Sequence, residues 1–214
     1  MSTYVAVVDY GMGNLRSVEK ALQAVGAKTR ITNSAGVVRQ AAAVVVPGVG
    51  AFGQAVHRLK QKGLFGPLRD CLNHNKPFLG ICLGLQMLFE KSEESPGVRG
   101  FGFLKGAVVR FKEAYQSKIK VPHMGWNTLS RGQAGDSLCL KGVAAGDRFY
   151  FVHSYFPVPQ DKSWVAASTF YGTTFCSAVS HGRLFASQFH PEKSGDKGLH
   201  ILRNFVRALR KEKP

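Results

Sequence analysis

Hydrophobic residues follow two rhythms along this chain, and the change falls near residue 100. Before it, short β-branched runs alternate with stretches of helical apolar spacing, the order expected of a parallel sheet covered by helices. Residues 4–9 predict a first buried strand. Asn14 is placed to cap the helix that follows, with Leu15, Val18, Leu22 and Val25 on one face and Gly26 closing it. A second strand is predicted over 41–46, ending in the turn Pro47-Gly48-Val49-Gly50, and then a helical segment whose apolar positions include Val56 and Leu59. Residues 77–81 predict a third strand running straight into a helix through Leu88 and Phe89.

Beyond residue 100 the pattern becomes short strands separated by Gly, Pro and polar turns, at 106–111, 147–153, 164–170, 174–179 and 183–189. A last helix over about 196–211 sets Leu199, Leu202, Phe205, Val206 and Leu209 toward the core, with Arg203, Arg207 and Arg210 outside. The expected fold is α/β, an open, mixed, mostly parallel sheet flanked by helices. With no internal repeat, linker or low-complexity stretch, the 214 residues are expected to form a single domain, 1–214.

Composition narrows the function classes. No apolar run approaches the roughly 20 residues of a membrane span, and the first residues read as a strand without a basic flank or cleavage site, so a cytoplasmic protein is expected. Cys71, Cys82, Cys139 and Cys176 lie far apart and without metal-ligand spacing. Reduced thiols are expected, three of them acting as small buried hydrophobes, and no metal site. The formal charge of +16, from 29 Lys and Arg against 13 Asp and Glu, raises a nucleic-acid or acidic-partner hypothesis. The basic residues are scattered, densest at Arg58-Leu59-Lys60-Gln61-Lys62 and Arg210-Lys211-Glu212-Lys213, and no nucleic-acid module appears. Nucleic acid is therefore not the expected partner. A non-catalytic basic binding module stays open as the alternative outside the enzymes, and salt-sensitive DNA retention would mark it.

Gly80-Ile81-Cys82-Leu83-Gly84 falls where a buried strand becomes a helix, the position of a nucleophile elbow with cysteine for serine. Such a turn exposes its side chain above the sheet, glycines two before and two after avoid crowding, and the helix start favours a thiolate. Alone, the motif fits a buried cysteine at a helix entrance better than a nucleophile. His190-Pro191-Glu192 follows a predicted strand, and side chains two apart in extended backbone point the same way, so Glu192 is placed to orient a His190 base. The turn at Pro47–Gly50 closes a strand expected in the same sheet. Glycines there can aim a backbone N–H of Val49 or Gly50 at a developing oxyanion, alongside the Leu83 N–H of the elbow.

Together these three segments resemble the signatures of class I (triad) glutamine amidotransferases, in the same order and over nearly the whole chain. The resemblance implies a flavodoxin-like fold, a catalytic Cys82, His190 and Glu192, a glutamyl thioester intermediate, release of ammonia, and no cofactor. Asp9-Tyr10-Gly11-Met12-Gly13-Asn14, the Pro-Gly-Val-Gly turn, His123-Met124-Gly125-Trp126-Asn127 and Phe151-Val152-His153-Ser154-Tyr155 are similar to the branch that feeds a (β/α)8 barrel cyclase in histidine synthesis, as one half of a heterodimer. By motif matching, Gln86 and Glu94, with backbone groups of Ser154 and Tyr155, are implied to hold glutamine. Asn14, Trp126, Tyr150 and Lys193 are implied to face the cyclase. A paralogue serving a sugar aminotransfer pathway shares most of these motifs and remains open.

Overall fold

A computed structural model describes residues 4–112 and 119–210, the Arg210 side chain excepted, so the placement of that arginine and of the basic tail lies outside the described residues. The first half alternates strand and helix: β1 (Val5–Val8), α1 (Leu15–Ala24), β2 (Thr29–Thr32), α2 (Ala35–Gln40), β3 (Ala43–Gly48), α3 (Phe52–Gln61), α4 (Phe65–Asn73), β4 (Phe78–Cys82) and the single-turn α5 (Leu83–Gln86). The second half is mostly strand: β5 (Phe89–Ser92), β6 (Leu104–Arg110), β7 (His123–Thr128), β8 (Ser130–Arg131), β9 (Arg148–His153), β10 (Tyr155–Pro159), β11 (Val165–Tyr171), β12 (Thr173–His181) and β13 (Leu184–Ser187), before α6 (Gly195–Arg210). No helix among the described residues is long and apolar enough to cross a membrane.

An eight-stranded sheet runs in the order β2-β1-β3-β4-β13-β12-β11-β8. The first five are parallel, and the last three add an antiparallel extension. Because β4 lies between β3 and β13, the carboxyl ends of three strands distant in sequence meet at one point on the sheet edge. Both faces are covered, which explains the unbroken apolar runs. Val5, Val7 and Val45 pack beneath α1 and α6, and Val8, Val44 and Val46 pack beneath α2, α3 and α4. Two smaller sheets run in the orders β10-β6-β5 and β7-β9.

Asn14 caps α1, its side-chain oxygen accepting the Ser17 N–H, and Gly26 takes a positive φ of 84° just beyond it. The helix expected through Leu88 and Phe89 instead stops at Gln86, and Phe89 opens β5. The Met87 and Leu88 carbonyls are taken by the N–H groups of Phe101 and Leu104, non-local bonds that an apolar pattern cannot announce. Also unanticipated were β2, a half-exposed edge strand, β7 and β10, interrupted by Gly125 or by Pro157 and Pro159, and the helices α2 and α4. In α6, Ile201 joins the core beside Leu202, Phe205 and Val206, while Leu199 and Leu209 lie at its margin.

Candidate active site

Cys82 ends β4 with φ +53° and ψ −101°, a conformation that L-residues rarely adopt. The surrounding glycines make it possible. A Cβ on Gly84 would run into the Val46 carbonyl oxygen of β3, and one on Gly80 would stand 2.9 Å from the Gly84 carbonyl and 3.0 Å from the Ala186 Cβ of β13. Sheet and elbow are thus pressed together at backbone contact. Gly48, opposite Cys82 in the β3 register, has no more room: a Cβ there would meet the Tyr10 hydroxyl and the Leu83 side chain. That hydroxyl donates to the Pro47 carbonyl at 2.8 Å, bracing the turn from below. Burial, and secondarily the charge of Cys82, hold the Tyr10 phenol well above its usual range, so it stays a donor.

His190 follows β13 in extended geometry, and Pro191 opens a tight helical turn over Pro191–Lys193. Glu192 therefore reaches the imidazole from a turn rather than along a strand, with its Oε1 2.8 Å from His190 Nδ1 and both side chains at most 3% exposed. The His190 backbone is pinned as well: its N–H donates to the Tyr150 carbonyl, and its carbonyl accepts the Ser194 hydroxyl at 2.6 Å. Burial alone would lower the imidazolium, but the neighbouring Cys82 sulfur and the Glu192 carboxylate override it and raise the group to about 10. His190 Nε2 makes no hydrogen bond of regular geometry and is left for the sulfur or an incoming group.

Cys82 opens onto a cavity of about 590 Å³ lined by Val49, Gly50, Leu83, Gln86, Glu94, Ser154, Tyr155 and Lys193, among others. Val49 and Gly50, the latter at φ +105°, cross one wall, and Leu83 begins α5, whose first N–H groups have no partner within the helix. The Gln86 side-chain nitrogen donates to the Tyr155 carbonyl at 2.9 Å and to Gln188 Oε1 at 3.2 Å. One Glu94 oxygen caps α3 through the Phe52 N–H at 2.7 Å. The Ser154 carbonyl already accepts the Phe111 N–H. These side chains and carbonyls are thus hydrogen-bonded into the fold.

The class I glutamine amidotransferase model matches residues 6–209. The chain belongs to that family. Relatives named imidazole glycerol phosphate synthase subunit HisH include those of Rhodopirellula baltica, 48% identical over 95% of this chain and 97% of its own length, and Aquifex aeolicus, 48% identical over 96% and 97%. The HisH subunit of Aromatoleum aromaticum is 49% identical, covering 94% of this chain and 97% of its own length. Among solved structures, PurLQS from Thermotoga maritima superposes with TM-score 0.74 at 19% identity, over 98% of this chain and 100% of that one. A glutamine amidotransferase from Thermotoga maritima gives TM-score 0.62 at 15% identity, over 99% of each chain. Those likenesses establish the shared fold.

Within this glutamine amidotransferase, Trp126, Tyr150 and Lys193 lie in one group on the surface. The Trp126 ring, 52% exposed, stands edge-on to Tyr150, over which the Lys193 ammonium sits 5.8 Å from the ring centroid. The helix capped by Asn14 packs against the turn that carries Lys193. Motif matching passed over other residues of the amidotransferase. Gln188 donates to the Cys82 sulfur at 3.5 Å, although it stands two residues before His190, the same spacing that drew attention to Glu192. Buried His123 and His153 stand in segments quoted for the resemblance but were given no role there. His153 Nδ1 faces the Tyr155 carbonyl at 2.9 Å and must donate, so its Nε2 accepts from His123 Nδ1 at 3.1 Å. Burial keeps both rings neutral, lowering His123 to about 4 and His153 to about 3.

Proposed function

We propose that this single-domain amidotransferase hydrolyses glutamine at Cys82 and hands the ammonia to a (β/α)8 barrel cyclase, as the glutaminase half of a cytoplasmic imidazole glycerol phosphate synthase in histidine synthesis. The relatives' name supplies the pathway and the partner. The observation that carries the chemistry is the buried His190–Glu192 pair beside a thiol on a strained elbow.

With His190 held as an imidazolium, Cys82 enters as a thiolate, attacks the side-chain amide carbon of glutamine, and pushes its electrons onto the oxygen. The Leu83 N–H, with that of Val49 or Gly50, receives this oxyanion. On collapse the carbon–nitrogen bond breaks, His190 protonates the leaving nitrogen, and a γ-glutamyl thioester remains. His190, now neutral, takes a proton from water, whose oxygen displaces the sulfur to give glutamate and restore the thiolate–imidazolium pair. Glu192 fixes the ring so that Nε2 faces the chemistry. The free Gln86 oxygen and the second Glu94 oxygen are acceptors for the glutamine α-amino group, and Ser154 and Tyr155 backbone groups line the same wall.

Asn14, Trp126, Tyr150 and Lys193 form the face for the cyclase, and an exposed indole of this kind is typical of a buried interface anchor. Glutaminase assays with and without the cyclase and its nucleotide test the reading. Glutamine hydrolysis is expected to rise sharply in the full complex. Cys82→Ala should abolish glutamine-driven synthesis while ammonium salts still support the cyclase, and loss of both activities would refute the division of labour.

A further inference from the structure

Gln188 is wholly buried, directly behind the nucleophile, yet it is a polar side chain in a position that an apolar residue of equal volume would fill. Its orientation is not a matter of choice. The Tyr155 carbonyl can only accept, so the Gln86 amide must present its nitrogen there, at 2.9 Å. The second N–H of that nitrogen then meets Gln188 at 3.2 Å, which must be the Gln188 oxygen. The Gln188 nitrogen is left facing the Cys82 sulfur at 3.5 Å. A backbone carbonyl thus dictates the polarity of a chain of two amides ending at the reactive atom, independent of how either amide would be assigned alone.

We propose that Gln188 is a further catalytic residue, whose side-chain N–H stabilises the Cys82 thiolate, and that Gln86 couples this donor to the glutamine pocket. The assignment rests on the glutaminase reading for its place in turnover, but not for its effect on the sulfur. An N–H bond to an anionic sulfur is charge-assisted, whereas a thiol or thioester sulfur is a weak acceptor. The amide therefore favours the thiolate in the resting enzyme and again when sulfur departs from the thioester. Being neutral, it does so without competing for the proton that His190 handles. The other ionisable groups around the sulfur are His190, Tyr10 and His153, with Glu94 and Lys193 on the cavity wall.

Alkylation of Cys82 by iodoacetamide, followed against pH in the full chain without glutamine and with a Cys82→Ala control, reads the sulfur directly. Gln188→Met, which keeps length but removes the donor, is expected to slow alkylation about tenfold at neutral pH and to move the profile to higher pH. Gln188→Glu, which sets a carboxylate against the thiolate, should move it further. Profiles that superimpose on the wild type overturn the assignment, even if glutaminase activity falls, since a merely structural residue would lower stability without moving the profile. Should neither variant fold, the Gln188 side-chain amide shift in the wild-type protein decides. It should titrate with the alkylation midpoint and lose that step in Cys82→Ser, and a flat response overturns the proposal. Because neither readout needs glutamine or a partner, a failure here is distinguishable from a failure of the glutaminase reading.

Discussion

The Glu192 carboxylate faces one His190 nitrogen at 2.8 Å, and its second oxygen, also buried, has no partner among the described residues. In the proposed mechanism an acceptor so placed serves the imidazolium. Glu192→Gln keeps the volume and removes the charge, so kcat is expected to fall by about 10²–10⁴-fold, the range typical for a lost acid–base orienter. The alkaline limb of the kcat profile should move to lower pH, because the imidazolium loses a group that raises it. A variant within a few-fold of the wild type, with an unchanged profile, would contradict this. At this scale the proposed roles of Cys82, His190 and Glu192 were legible because a nucleophile, a base and an orienter need particular residue types at particular spacings. Gln188 was not, because glutamine has many uses and only its neighbours give it one.

The elbow depends on backbone approach between α5 and the strands beside it. Gly84→Ala would drive a methyl into the Val46 carbonyl, so it is expected to cost about 1–3 kcal/mol, measured by urea unfolding, and to displace Cys82 enough to depress activity more than stability. An unaffected enzyme would show that the elbow has room to spare beside β3. Asn14→Ala should cost roughly 1 kcal/mol through lost capping of α1, and a stability change near zero would count against that cap. Elements with a continuous apolar run or a capped amphipathic face, such as β1, β3, β4, α1 and α6, were readable along the chain. The stop at Gln86 and the strands β5, β7 and β10 were not, because their hydrogen bonds go to distant segments.

For the whole molecule, the buried His123 and His153 set a dependence of stability on pH. Below the ordinary value of 6.5 the unfolded chain binds protons that His123 and His153 refuse until about pH 4 and 3, so stability falls as pH drops through that window. Urea midpoints should therefore fall as pH drops from 6.5 to 5. Equal midpoints at pH 5 and 6.5 would refute this. The +16 charge is expected to make association with an acidic cyclase face weaken steeply with salt, through a slower on-rate, and salt-independent binding would exclude that role. By itself the amino-acid sequence determined the α/β class and the family, and marked the elbow cysteine and the His-Pro-Glu segment to which the proposed roles are given, since these follow from local periodicity, strand-to-helix turns and residue chemistry at short spacing. Only the tertiary structure decided that β3, β4 and β13 are neighbours, and hence that the glycine turn, the elbow and the His190–Glu192 pair share one edge. Strand order arises from contacts between segments a hundred residues apart, which no local pattern encodes, and the same contacts turn Gln86 and Gln188 into a wire ending at Cys82.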